Sequence, residues 1–161
     1  NNKNVLPAAN EVPELTEKNV RVIPTRSVQT GVAALLEFNT NLNLDENAEA
    51  MARVVGDVGD GRVCQASRDV TVYGHEIRKG MSFATYDDEI VAVGRDPLFV
   101  LSKMIEGKLS GAEIITVYTG ESASIEQAKT TTETLESKFA EVEFEVVHGG
   151  QPHYDYLVAV E

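Results

Sequence analysis

The chain has 161 residues, 42% of them hydrophobic and none of them Trp, which suits one medium domain or two small subdomains. A formal net charge of -12 argues against nucleic acid and anionic membrane as partners, because both need Lys and Arg to neutralise phosphate, and favours a basic partner or simple solubility. The single Cys64 excludes an internal disulfide and a thiolate metal cage, and no apolar run reaches the length of a membrane span, so the expectation is a cytoplasmic chain with no direct membrane insertion.

Asn4 to Lys18 predicts a helix, with Val5, Ala8, Ala9, Val12 and Leu15 at helical spacing, Pro7 in the first turn and Pro13 kinking or stopping it. Asn19-Val-Arg-Val-Ile23 reads as a short strand closed by Pro24. Thr25-Arg26-Ser27 leads into a helix with Val28, Val32, Leu35 and Leu36 on one face and Ser27 as its N-cap; Gly31 inside it suggests a close backbone neighbour. A polar, Asn-rich linker follows at Asn39 to Leu44. Asp45 is then expected to cap a helix whose stripe is Leu44, Ala48, Met51, Ala52 and Val55.

From Gly61 the texture changes to short strand candidates, Arg62–Arg68, Val70–Tyr73, Met81–Tyr86 and Glu89–Val93, punctuated by Gly and Asp: an antiparallel meander. Asp96-Pro97 opens a helix with Leu98, Leu101, Met104 and Ile105 inward and Gly107 at its end. Glu113 to Thr119 is apolar enough for a central strand. Ser124 with Gln127 predicts a capping box on a helix reaching about Lys138. Two last strand candidates, Val142–Val147 and Tyr154–Val160, flank His148-Gly-Gly-Gln-Pro-His153. There the two glycines allow positive φ or close backbone approach, and Pro152 stiffens the segment. The result is either a rigid turn presenting His148, Gln151 and His153 at the end of a sheet or a plain hairpin loop.

Motifs for nucleotide, zinc-protease, redox and hydrolase sites are missing: no P-loop, HExxH, CxxC or GxSxG is present, and Gly56-Asp-Val-Gly-Asp-Gly61 lacks EF-hand spacing and reads as a turn. Neither a catalytic residue nor a metal ligand is therefore expected. Anion binding is the remaining possibility: Arg26 and Ser27 at a helix start, where free backbone donors face out, and His148 and Gln151 in the late loop. His148 and Asp155 are an acid–base pair by residue type alone.

Several segments in order, Val22-Ile-Pro-Thr-Arg-Ser27 through Asn39, Ala66-Ser-Arg-Asp69, Ile77-Arg-Lys-Gly80, Val117-Tyr-Thr-Gly-Glu121 and Val147-His-Gly-Gly-Gln-Pro-His-Tyr154, resemble the C-terminal region of the kinase subunit of bacterial fatty acid kinase. That region is related in fold to DegV-type fatty-acid-binding proteins. The resemblance implies an α/β fold of two small DegV-like subdomains. The first is incomplete: residues 1–42 are its C-terminal part, and 43–161 are a second subdomain with the meander and a mixed sheet. It also implies a non-catalytic region that docks a fatty-acid-carrying partner protein with a basic surface. In the parent protein, an ATP-dependent acyl kinase, ATP and magnesium bind another domain, and a further domain dimerises; this chain itself needs no cofactor. The chain opens on Asn-Asn-Lys-Asn and not on Met, which fits a fragment of something longer. In DegV-type binders a His near a Gly-Pro-Gly turn holds the lipid head group, and His148 is the nearest match, in a loop that reads Gly-Gly-Gln-Pro. At Asp87-Asp88 the family often has Asp-Gly, which leaves the turn type open.

Overall fold

A computed structural model describes residues 5–72 and 74–161. Contacts divide the chain into two compact units, Asn1–Val58 and Gly59–Glu161.

The first unit is helical throughout its described regular elements. Helix α1 (Val5–Glu11) gives way to a 3₁₀ turn (Val12–Leu15) with Pro13 in its first positions, so the expected long helix is broken where Pro removes a donor. Asn4, the expected start, lies outside the described residues. The strand expected at 19–23 does not form: these residues are irregular, and no neighbouring strand among the described residues offers them a ladder. Helix α2 (Val28–Leu36) is capped as expected. The Ser27 hydroxyl accepts from the Thr30 N–H at 3.2 Å, and Thr30 Oγ1 accepts from the Ser27 N–H at 3.3 Å. Its buried face, however, is Gln29, Thr30, Ala33 and Ala34, whereas Leu35 and Leu36 are 67% and 79% exposed. The apolar stripe read from the spacing is thus the side of the helix left largely uncovered. A Cβ on Gly31 would meet the Thr25 hydroxyl at 4.0 Å, and among the described residues no backbone from outside its own helix comes as close.

Helix α3 (Leu44–Val54) packs against α2 and groups with the first unit. Its cap is Asn43 and not Asp45: the Asn43 side chain accepts from Asp45 N–H and Glu46 N–H, and the Glu46 carboxylate accepts from Asn43 N–H at 2.9 Å. Asn is as good an N-cap as Asp and stands one residue before the helix. The Asn-rich linker is an ordered loop. Buried Asn47 donates to the carbonyls of Asn39, Leu42 and Asn43 and accepts from the Asn39 N–H at 2.8 Å.

The second unit is built on a six-stranded sheet of order β5-β4-β1-β8-β6-β7. The strands are β1 (Gly59–Gln65), β4 (Ser82–Tyr86), β5 (Glu89–Gly94), β6 (Ile114–Thr119), β7 (Glu143–His148) and β8 (Tyr156–Val160); β2 (Val70–Val72) and β3 (His75–Ile77) pair separately. Tyr73, part of the strand expected there, lies outside the described residues. The meander β1-β4-β5 is antiparallel, β6 and β7 are parallel, and β8 is antiparallel to both of its neighbours, so the sheet is mixed. β1 begins inside the acidic run read as a turn. There the Asp60 carboxylate is bonded by the Arg62 guanidinium. Asp87 and Asp88 have φ of 50° and 68°, the geometry of a two-residue type I′ hairpin. Their side chains account for the absence of Gly: Asp87 accepts from the Asp60 N–H at 3.1 Å, and Asp88 pairs with Arg62 at 3.0 Å.

One face of this sheet carries Val63, Ile115, Val117, Tyr156 and Val158, covered by α4 (Pro97–Glu106) and α5 (Ile125–Glu136). Asp96 caps α4 and Pro97 opens it, as expected; Val100, Leu101, Met104 and Ile105 face inward. Ser124 caps α5 through the Gln127 N–H, but its hydroxyl pairs with Glu126, and no Gln127 side-chain bond completes the box.

Candidate functional site

The last two strands are not a hairpin. β6 lies between β7 and β8, so residues 148–155 cross the C-terminal end of β6. The Thr119 carbonyl accepts from Gly149 N–H at 3.0 Å and Gly150 N–H at 2.9 Å, and the Gln151 side-chain amide donates to the Tyr118 carbonyl at 3.0 Å. In return Glu121 N–H donates to the Gln151 carbonyl at 3.1 Å, and Gly120 N–H to the Asp155 carbonyl at 2.8 Å. Asp155 N–H reaches the Val63 carbonyl at 2.9 Å and so ties the loop to β1.

Gly120 is required here by a backbone neighbour, and Gly149 lies against the Gln151 side chain. A Cβ on Gly149 would overlap the Gln151 side-chain oxygen, and one on Gly120 would overlap the Tyr154 carbonyl. Gly150 has φ of 64°, and His153, which carries a side chain, has φ of 71°. Positive φ in a residue such as His costs free energy that the surrounding bonds must offset.

Of the residues singled out in this loop, His148 ends β7 and is exposed, while Gln151 is half-buried with its amide donor already engaged. Arg26 and Ser27 belong to the first unit. Ser27 is buried and its hydroxyl serves the α2 cap; Arg26 is exposed and makes no ion pair among the described residues. No hydrogen bond joins His148 to Asp155 among the described residues.

Asp155 itself sits at the root of the loop. Its Oδ1 accepts from the Ser122 hydroxyl at 3.4 Å, while Oδ2 is buried with no hydrogen-bond partner among the described residues. Burial raises its pKa, and the Ser122 bond opposes the rise. The nearby Cys64 thiol is pushed up to about 11, mainly by burial and then by Asp155, which keeps it protonated and unreactive at neutral pH. The Tyr156 phenol is raised to about 12, first by burial and then by Asp155 and Asp96. Spacing gave no sign of the Ser122–Asp155 contact, because 33 positions separate the two and only the crossing over β6 unites them. Among the described residues no group of three or more His, Cys, Asp or Glu is arranged to hold a metal ion. No helix among them is long and apolar enough to cross a membrane.

The fold is similar to that of DegV-family proteins. A DegV-family protein from Corynebacterium glutamicum superimposes with a TM-score of 0.64 at 17% identity, over 96% of this chain and 69% of its own. One from Ruminococcus gnavus, solved with vaccenic acid, gives 0.61 at 13% identity over 95% and 64%. At those identities the likeness is one of fold. In sequence, the chain is 33% identical over its full length to an uncharacterized Staphylococcus aureus protein of strain USA300, and it spans about 30% of that relative. The chain belongs to the FakA-like C-terminal family of fatty acid kinase, whose family model matches residues 1–161.

Proposed function

We propose that this chain is a non-catalytic docking region of a fatty acid kinase, which holds a fatty-acid-carrying partner protein while a kinase domain elsewhere in the polypeptide phosphorylates the acyl carboxylate. The observation that carries it is the family match over all 161 residues, since the family is that of one component of a kinase made of several, which implies another component for it to meet. The net charge of -12 adds the expectation of a partner with a basic surface, steered and oriented by long-range attraction. In the full-length protein, ATP and magnesium belong to that kinase domain, dimerisation to a further domain, and the working compartment is the cytoplasm. The test is titration of the chain with an oleate-loaded DegV-family protein encoded in the same genome, across a salt series. Binding that weakens steeply with salt is expected; absence of binding at low salt sinks the proposal.

A second reading is a lipid- or anion-binding module, with Arg26 beside the start of α2 in the first unit as the contact to the anion. It is favoured by one observation: Arg26 presents an exposed guanidinium with no ion pair among the described residues. Added acyl phosphate should then raise the melting temperature of the wild-type chain and not that of Arg26→Ala. No shift in the wild type removes this possibility.

A further inference from the structure

β7 is the outermost strand of its sheet, and its outer edge has no neighbour among the described residues. Its register with β6 runs unbroken from Ile114 opposite Glu143 to Thr119 opposite His148. Glu143 N–H donates inward to the Glu113 carbonyl and Gly149 N–H to the Thr119 carbonyl. A strand alternates with period two, so the amides of Glu145 and Val147 also turn inward, and those of Phe144, Val146 and His148 turn out. β5, at the opposite edge, is interrupted by a register shift opposite Ala84 and Thr85, a common way of blunting an edge. β7 has no register shift, no Pro and no Lys.

The strands at this edge are one-signed, while α5, packed on the core side of β7, carries Lys129. Segments 109–128 and 139–161, which hold β6, β7 and β8, contain no Lys or Arg. Phe144 and Val146 pack toward the helix-covered core, which leaves Glu143, Glu145 and Val147 exposed on the opposite face. Next to them the Tyr118 phenol is raised in pKa by burial first, and then by the charges of Glu161 and Glu145. Like charges of this density hold off another copy of the same edge, and they favour a strand of opposite sign.

We propose that the free edge of β7 accepts an extended segment of a basic partner protein as an added strand, with Lys or Arg at the alternate positions that stand beside Glu143 and Glu145. Main-chain bonds to Phe144, Val146 and His148 supply affinity, and the alternate cations supply register and choice of partner. The inference rests on the docking role proposed above, and it names the surface and the chemistry of what docks.

The probe is the same oleate-loaded DegV-family protein, read by calorimetry and by amide hydrogen exchange. Val146→Pro removes an outward donor and leaves the β6 ladder intact, so it should weaken binding at least about tenfold, the loss of roughly one well-made main-chain bond. The double variant Glu143→Gln, Glu145→Gln should bind more weakly and with a shallower salt dependence. In the wild type, the amides of Phe144, Val146 and His148 should slow on complex formation. A wild-type chain that binds while those three amides exchange unchanged overturns the edge and leaves the docking role standing; no binding by the wild type overturns both. If Val146→Pro does not fold, the exchange measurement on the wild type decides alone.

Discussion

In the second unit, Val63, Leu101, Ile105, Ile115, Val117 and Val158 are sealed between sheet and helices. In the first, Val5, Leu15, Leu35, Leu36 and Phe38 stand more than half exposed, and the buried apolar side chains among the described residues are Ala33, Ala34 and Val58. Apolar burial contributes about 25 cal/mol per Å², so order in the first unit leans on polar devices: the Ser27 and Asn43 caps and the Asn47 bonds. The difference teaches that a hydrophobic stripe marks a helix without saying that the stripe is covered.

The largest effect should come from the sealed core. Leu101→Ala removes a side chain with no exposed area and should cost about 2–5 kcal/mol in chemical denaturation. A loss below about 1 kcal/mol would mean that this core is far looser than its burial implies. Next comes the polar support of the first unit. Asn47→Ala strips three donated bonds and one accepted bond, and should cost about 1–3 kcal/mol, felt as faster amide exchange in α2 and α3 with the β6 and β8 amides unchanged. Equal acceleration in both units would erase the contrast between them.

Asp155 gives a smaller, pH-dependent effect. Its folded-state pKa is raised, so the folded chain holds the proton more tightly than the unfolded chain. Stability linked to it is full below the unfolded-state pKa and falls as pH rises through the folded one. Asp155→Asn should therefore raise the melting temperature at pH 7 and lose that advantage in acid; a difference from the wild type that does not change with pH would show that the raised Asp155 pKa is not its source. The smallest effect is expected at Leu36→Lys, 79% exposed on α2, which should change stability by no more than about 0.5 kcal/mol. A large loss would show that this face is covered in solution.

Local chemistry was the legible part of the sequence. Ser27, Asp96-Pro97, Ser124 and Pro13 announce helix starts and breaks through interactions within a few residues, and the family segments pointed to the DegV fold. What stayed hidden depends on distant partners. The segment at 19–23 has strand propensity and no ladder to join among the described residues. β7 and β8 look like neighbours in sequence, yet β6 separates them, and that pairing was set well upstream, before α5. The same crossing hid the Ser122–Asp155 contact. By contrast, the freedom that Gly-Gly allows was visible, and Gly150 uses it with a φ of 64°.

The position of β8 between β1 and β6 has a consequence for synthesis. Residues 156–160 join the antiparallel meander to the β6-β7 pair, so until they emerge from the ribosome the sheet exists only as two halves with open inner edges. A nascent chain stalled just before Tyr156 should expose both edges and depend on chaperones. Residues 156–160 then join the two halves in one step.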